Sequence, residues 1–250
     1  MNNTGVINTS QKRRVFKEKF GEILIPRGFV FKKNRFVRIH PGIALLIVEM
    51  DVTKTTSYIE FNCLPMCINF QRNTGIAHCR VDSFFTEEQS HYAYQNYNDF
   101  DMRFHDQYSV FVNDLFTAFD SVHDRATMHH FRTIMQAKYP SAYFNMLVCV
   151  QCEKYEEAYK YAQMYKQYHV EAKESMNRFY LEKQTYSSMT KEDREDHANY
   201  ILSCDMSIQE ANKWQKRIEN KEYNKMQKII EENCKISDDL CRKAYPEFYK

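Results

Sequence analysis

The sequence predicts an α+β fold, with an N-terminal helix and a small antiparallel sheet followed by a C-terminal α-helical array of five to seven helices. Three observations carry this. Apolar residues recur at helical spacing before Leu24, short β-branched and aromatic runs fill the stretch from Phe29 to about Val81, and helical periodicity returns near Tyr108 and continues to the end. At 250 residues the chain is long enough to bury a large core without disulfides. Its 43% apolar and 15% aromatic content places it among folded chains.

In "SQKRRVFKEKFGEIL", Phe16, Phe20 and Ile23 share one helical face, and Pro26 with Gly28 ends the helix. The runs "GFVFKK", "RFVRI", "IALLIVEMDV", "SYIEFNCL" and "MCINFQ" then read as a meander of three to five antiparallel strands. Tight turns are expected at Lys33-Asn34 and at His40-Pro41-Gly42. The boundary falls near residue 100: residues 1–100 form a sheet domain and 101–250 a helical region packed against it, as a second domain or as part of one continuous domain.

In the helical region, Tyr108, Phe111, Leu115, Phe119 and Val122 form a stripe, which breaks between Asp120 and Asp124. A second helix reaches Tyr139, and Pro140 opens the next. Thr190 with Asp193 and Ser207 with Glu210 have the capping-box pattern, and Ser237 followed by two aspartates reads as the start of the last helix. Trp214, Ile218, Met226 and Ile229 make an interrupted stripe that leaves the segment from Ser207 onward as one helix or two. "KYEEAYKYAQ" resembles the second helix of a tetratricopeptide repeat, with Tyr155, Ala158 and Ala162 at packing positions; no second copy follows about 34 residues away. An antiparallel helical hairpin is expected there.

Several chemistries are excluded or weak. The five glycines lack the spacing of a dinucleotide fingerprint, a phosphate loop or a nucleophile elbow. The longest aliphatic run is Ile43 to Val48, against ~18 or more apolar residues for a membrane span. No apolar signal segment opens the chain, so a cytoplasmic location with reduced cysteines is expected. Two close cysteine pairs, Cys63 with Cys67 and Cys149 with Cys152, suffice formally for a thiolate zinc site. Their strand-like and apolar helical settings favour buried thiols instead, and no cofactor or metal is expected. Asp120, His123, Asp124, His129 and His130 form a His/Asp cluster; on one unbroken helix Asp120, His123, Thr127 and His130 would share a face, whereas a break scatters them.

The net charge of +2 is segregated: residues 1–40 hold ten Lys or Arg against Glu18 and Glu22. Within them, "RGFVFKKN" copies part of the RNA-recognition signature. Arg27, Gly28, Phe29 and Phe31 fit; Val30, Lys32 and Asn34 do not, and too little chain precedes Arg27. The alternative is that Phe29, Phe31, Phe36 and Val30 make buried sheet contacts while Lys32, Lys33, Arg35 and Arg38 face solvent.

Leu24, Pro26, Gly28, Phe29, Phe36 and Arg38 resemble, with approximate leucine and proline spacing, the pattern Leu-x-Pro-x-Gly-Phe-x-Lys-Lys-x-x-x-Phe-x-Arg of an uncharacterised bacterial domain family of unknown function. The resemblance covers roughly the first 120 residues. It implies a fold but no activity, and members sit among conflict and immunity-like genes, which implies a binding role.

The expected function is a non-enzymatic protein-binding module, of immunity or anti-defence type, with a protein partner. Binding of nucleic acid or another polyanion through the first 40 residues is the alternative; a membrane partner is not expected. Candidate binding residues are Lys32, Lys33, Arg35 and Arg38 on the hairpin, and Tyr161, Tyr165 and Tyr168 on a later helix, where ring burial with a wet hydroxyl suits an interface. The basic sheet side and the tyrosine-bearing side are expected to meet at an interface or groove.

Overall fold

A computed structural model describes residues 9–52, 57–71, 79–80, 120–132, 142–182 and 189–250. The α+β architecture is as the sequence predicts, and the chain divides into two compact units, Met1–Pro140 with Glu231–Lys250, and Ser141–Ile230. The stripe from Tyr108 to Phe119 and the helix expected to reach Tyr139 lie outside the described residues. No helix among the described residues is long and apolar enough to cross a membrane.

The first unit opens with α1 (Thr9–Leu24), whose Phe16, Phe20 and Leu24 recur every fourth residue and are all buried. A 3-10 turn at Ile25–Arg27 follows, and Gly28 ends the segment with φ of 81°. There the Gly28 N–H donates to the Ile25 carbonyl at 3.0 Å and the Phe29 N–H to the Leu24 carbonyl at 3.1 Å, the paired bonds that close a helix on a left-handed residue.

Five antiparallel strands follow in sequential order: β1 (Val30–Lys32), β2 (Arg35–His40), β3 (Ala44–Val52), β4 (Ser57–Pro65) and the two-residue β5 (Cys79–Arg80). Lys33 and Asn34, at φ of 51° and 63°, supply the two left-handed residues of a type I′ hairpin turn. Pro41 and Gly42 make the next turn, where Gly42 has φ of 71° and the Ile43 N–H donates to the His40 carbonyl at 3.0 Å.

Register sets the two faces. Phe36 pairs with Val48, Arg38 with Leu46, and Leu46 with Cys63, so these side chains share one face, and Val37, Ile39, Leu45, Ile47 and Leu64 take the other. All ten are buried. On the first face the Phe16 ring meets Phe36 edge-on at 5.3 Å, and Met128 of the short α2 (Arg125–His130) brings its sulfur within 3.8 Å of the Cys63 sulfur. Phe29 and Phe36 are therefore enclosed rather than presented on an open sheet. Val30, expected among the buried contacts, is 38% exposed because it sits at the free edge of a three-residue strand.

"MCINFQ" is not a strand. After Pro65 the chain turns, with the Ile68 N–H donating to the Pro65 carbonyl at 3.1 Å, while Met66, Cys67 and Ile68 stay buried. The polar backbone of this turn is satisfied by the C-terminal helix: Asn233 donates to the Cys67 carbonyl at 3.1 Å, and Ser237 donates to the Ile68 carbonyl and accepts from the Phe70 N–H at 3.2 Å. Ser237 thus does not start a helix. It lies inside α6 (Tyr223–Ala244), fully buried.

The second unit begins with α3 (Ala142–Gln151), in which residues 144–151 are all buried, and it ends on left-handed Glu153. The expected hairpin follows, as α4 (Tyr155–Glu182) packs Ala158 and Ala162 inward. α5 (Lys191–Glu219) is capped by the Thr190–Asp193 box as predicted. Ser207 and Glu210 form no box; both sit inside α5, where Glu210 accepts from the Trp214 indole at 2.9 Å. Left-handed Lys221, with the Glu222 N–H bonded to the Arg217 carbonyl at 2.9 Å, separates α5 from α6, so the long segment after Ser207 is two helices. Tyr159 donates to Glu219 at 2.8 Å and Lys173 to Asp205 at 2.5 Å. One helix counts up as the other counts down, so α4 and α5 are antiparallel.

Candidate functional site

Strand alternation divides the four hairpin cations. Lys32 and Arg35 are a register pair on the face of Val37. Lys32 donates to the Ala244 carbonyl at 2.8 Å, capping the C-terminus of α6, with Glu247 at 3.4 Å and the Tyr245 ring at 5.2 Å. Arg35 pairs with Glu49 at 3.4 Å. Arg38 is on the opposite face, 8% exposed, where it bonds Asp120 at 2.5 Å and the Arg27 carbonyl at 2.9 Å and lies over the Phe29 ring at 5.1 Å. Lys33 is exposed at the turn. Three of the four thus have carboxylate partners within the unit, and the hairpin presents less positive potential than its composition suggests.

The His/Asp cluster is spread out by the break at residues 121–124. Asp120 joins Arg27 at 3.1 Å as well as Arg38. Asp124 caps α2, accepting from the Thr127 N–H at 2.8 Å, and these bonds hold its carboxyl below the usual range. His123 is exposed and 3.5 Å from Asp124; His129 is buried and His130 exposed. His40, beside Asp120, has its pKa lowered first by burial, then by Arg38 and His123, with Asp120 opposing. The arrangement is that of ion pairs and a helix cap tying a loop to the sheet.

Of the two cysteine pairs, Cys63, Cys67 and Cys149 are buried and Cys152 is half-buried. Cys63 and Cys67 belong to the first unit. In the second, burial and then Glu157 push the Cys149 thiol up to about 12, the opposite of an activated nucleophile.

The tyrosines are on α4 in the second unit. Tyr165 is half-buried, tilted against Tyr143 at 5.2 Å and edge-on to His169 at 4.6 Å. Burial raises its pKa, against the lowering effect of a hydrogen bond with Ser207. Tyr168 is 65% exposed, its ring set edge-on to His169 at 5.1 Å. Tyr161 is half-buried two turns earlier. Sequence reasoning missed Met164 and Phe179, which are 48% and 53% exposed. Their signal was available: Tyr161, Met164, Tyr168 and Phe179 fall at i, i+3, i+7 and i+18, one stripe of a helix. Tyr200, 39% exposed, with its phenol pKa raised first by burial and then by Cys204 and Tyr168, comes from α5 and was legible only once the helices were paired.

No protein-family model, curated protein or solved structure matches this chain.

Proposed function

We propose that this chain is a non-enzymatic protein-binding module whose partner docks on the α4 stripe of Tyr161, Met164, Tyr168 and Phe179, with Tyr200 at its border. The observation that carries this is Tyr168: a large ring left 65% exposed yet backed edge-on by His169, between other exposed apolar side chains. A tyrosine held in this way buries its ring on a partner at small entropic cost while its hydroxyl stays hydrated, the profile of an interface anchor. The inter-helix bonds of Tyr159 to Glu219 and of Lys173 to Asp205 tie α4 to α5. An immunity or anti-defence role is the setting this reading fits, through the resemblance of the first 120 residues.

The test is affinity capture from the native host with wild-type chain, Tyr168→Ala, and Gln163→Ala as an exposed control off the stripe. The wild type and control are expected to recover one protein in stoichiometric amount, and Tyr168→Ala to lose it by about thirtyfold, the equivalent of a hot spot near 2 kcal/mol. Equal recovery by Tyr168→Ala would refute the reading. Binding to single-stranded DNA or heparin that falls steeply with salt and fails after charge reversal at Lys33 would favour the polyanion alternative.

A further inference from the structure

We propose that the outward face of α5 joins two copies of this chain in an antiparallel pair across a twofold axis. This goes beyond the docking stripe, because it uses α5, the antiparallel neighbour of α4, and a different face. Buried Cys204, Ala211 and Trp214 mark the inward side of α5. Half a turn away, Glu195, Leu202, Met206 and Lys213 recur at spacings of seven, four and seven, and all four are exposed, Leu202 by 58% and Met206 by 63%. Two large apolar side chains thus occupy the middle of an otherwise polar face.

Charge identifies the occupant. The face is net acidic toward its N-terminal end, where Glu192 and Glu195 outnumber Lys191, and net basic toward its C-terminal end, where Lys213, Lys216 and Arg217 outnumber Glu210, so it reverses sign about position 204. Laid antiparallel on a second copy about that point, Leu202 meets Met206, Glu195 meets Lys213 and Glu192 meets Lys216, each contact occurring twice; Lys191 comes opposite Arg217, a like-charge pair, with Arg217 turned back over the Trp214 ring at 5.1 Å. A parallel pairing would set glutamate against glutamate and lysine against lysine. In the single chain Glu195 rests 3.5 Å from Lys191, and Lys213 3.7 Å from Glu210. Exposed pairs of this kind contribute little, so both side chains can turn to a second copy. One helix on one helix is a small interface, so the dimer is reversible and depends on concentration and salt.

Sedimentation velocity on the full chain over a wide concentration series tests this. The wild type is expected to pass from monomer to dimer. Glu195→Lys and Lys213→Glu should each weaken the dimer at least about tenfold, since each reversal creates two like-charge contacts by symmetry. The double variant Glu195→Lys with Lys213→Glu should restore it, and Leu202→Glu with Met206→Glu should abolish it. All four sites are exposed, so circular dichroism should be unchanged. A wild type that stays monomeric at the highest concentration, a dimer that survives Leu202→Glu with Met206→Glu, or a failed charge-swap rescue would each overturn the proposal. So would a monomeric chain that binds a different protein through Leu202 and Met206.

Discussion

Replacing Ser237 by alanine removes one oxygen that serves two backbone groups of another segment. Its hydroxyl donates to the Ile68 carbonyl and accepts from the Phe70 N–H at 3.2 Å, and the side chain is fully buried. Leaving each backbone group without its partner costs about 1–3 kcal/mol, and alanine recovers about 0.5 kcal/mol of helix propensity within α6. For the two groups together the net loss is about 1.5–5.5 kcal/mol, or roughly 3–20 °C in the midpoint of a chain of this size. Urea unfolding followed by circular dichroism gives the free energy, and amide exchange at Phe70 reports the broken bond directly. A loss below about 0.5 kcal/mol together with unchanged protection at Phe70 would refute the reasoning, since the turn would then be held by apolar burial alone.

Two further outcomes are expected. Asp120→Ala should cost about 1–3 kcal/mol, between the values for exposed and buried pairs, because it strips the carboxylate from Arg27 and from the mostly buried Arg38. Arg38→Met should cost less, and a double-mutant cycle should show coupling between the two sites; additive losses would argue against the pairing. His40 should make the fold acid-sensitive. Its folded pKa lies below the unfolded value, so the unfolded chain takes up the proton more readily, and the associated stability is present above about pH 6.5 and lost as pH falls through that value toward the folded pKa. Chemical denaturation on either side of that pH should show a smaller loss for His40→Gln than for the wild type; equal losses would assign the acid sensitivity elsewhere.

Much of the architecture was legible because local rules and tertiary packing agree in those places. Phe16 and Phe20 repeat at helical spacing and pack on a sheet that also needs covering; Lys33-Asn34 tolerates the left-handed backbone that a two-residue hairpin demands. Thr190 with Asp193 begins a helix because each side-chain oxygen accepts from the other residue's backbone N–H three positions away. Ser207 and Ser237 carry the same local signal, yet their hydroxyls bond to Tyr165 and to Ile68 and Phe70, far away in sequence. A capping pattern reports that an oxygen is available, not which donor reaches it first. The hairpin cations failed to form one surface for a related reason: alternation sends Lys32 and Arg35 to one face and Arg38 to the other, and which carboxylates meet them depends on residues tens to hundreds of positions away.

The α4 stripe was half visible. Tyr161 and Tyr168 stood out as aromatic, whereas Met164 and Phe179 needed the same helical periodicity carried on to the end of α4, and Tyr200 needed the register between α4 and α5. By itself the sequence determined the fold class, most of the described helices and strands and many of their ends, and most of the apolar residues buried there, because these follow from backbone sterics and short-range periodicity. Only the tertiary structure decided that a C-terminal serine and asparagine complete the turn after Pro65, that three hairpin cations are neutralised at home, and that α4 and α5 run antiparallel, tied by Tyr159 to Glu219 and Lys173 to Asp205. Those outcomes depend on which distant groups arrive within hydrogen-bond or charge range, and no local pattern records that.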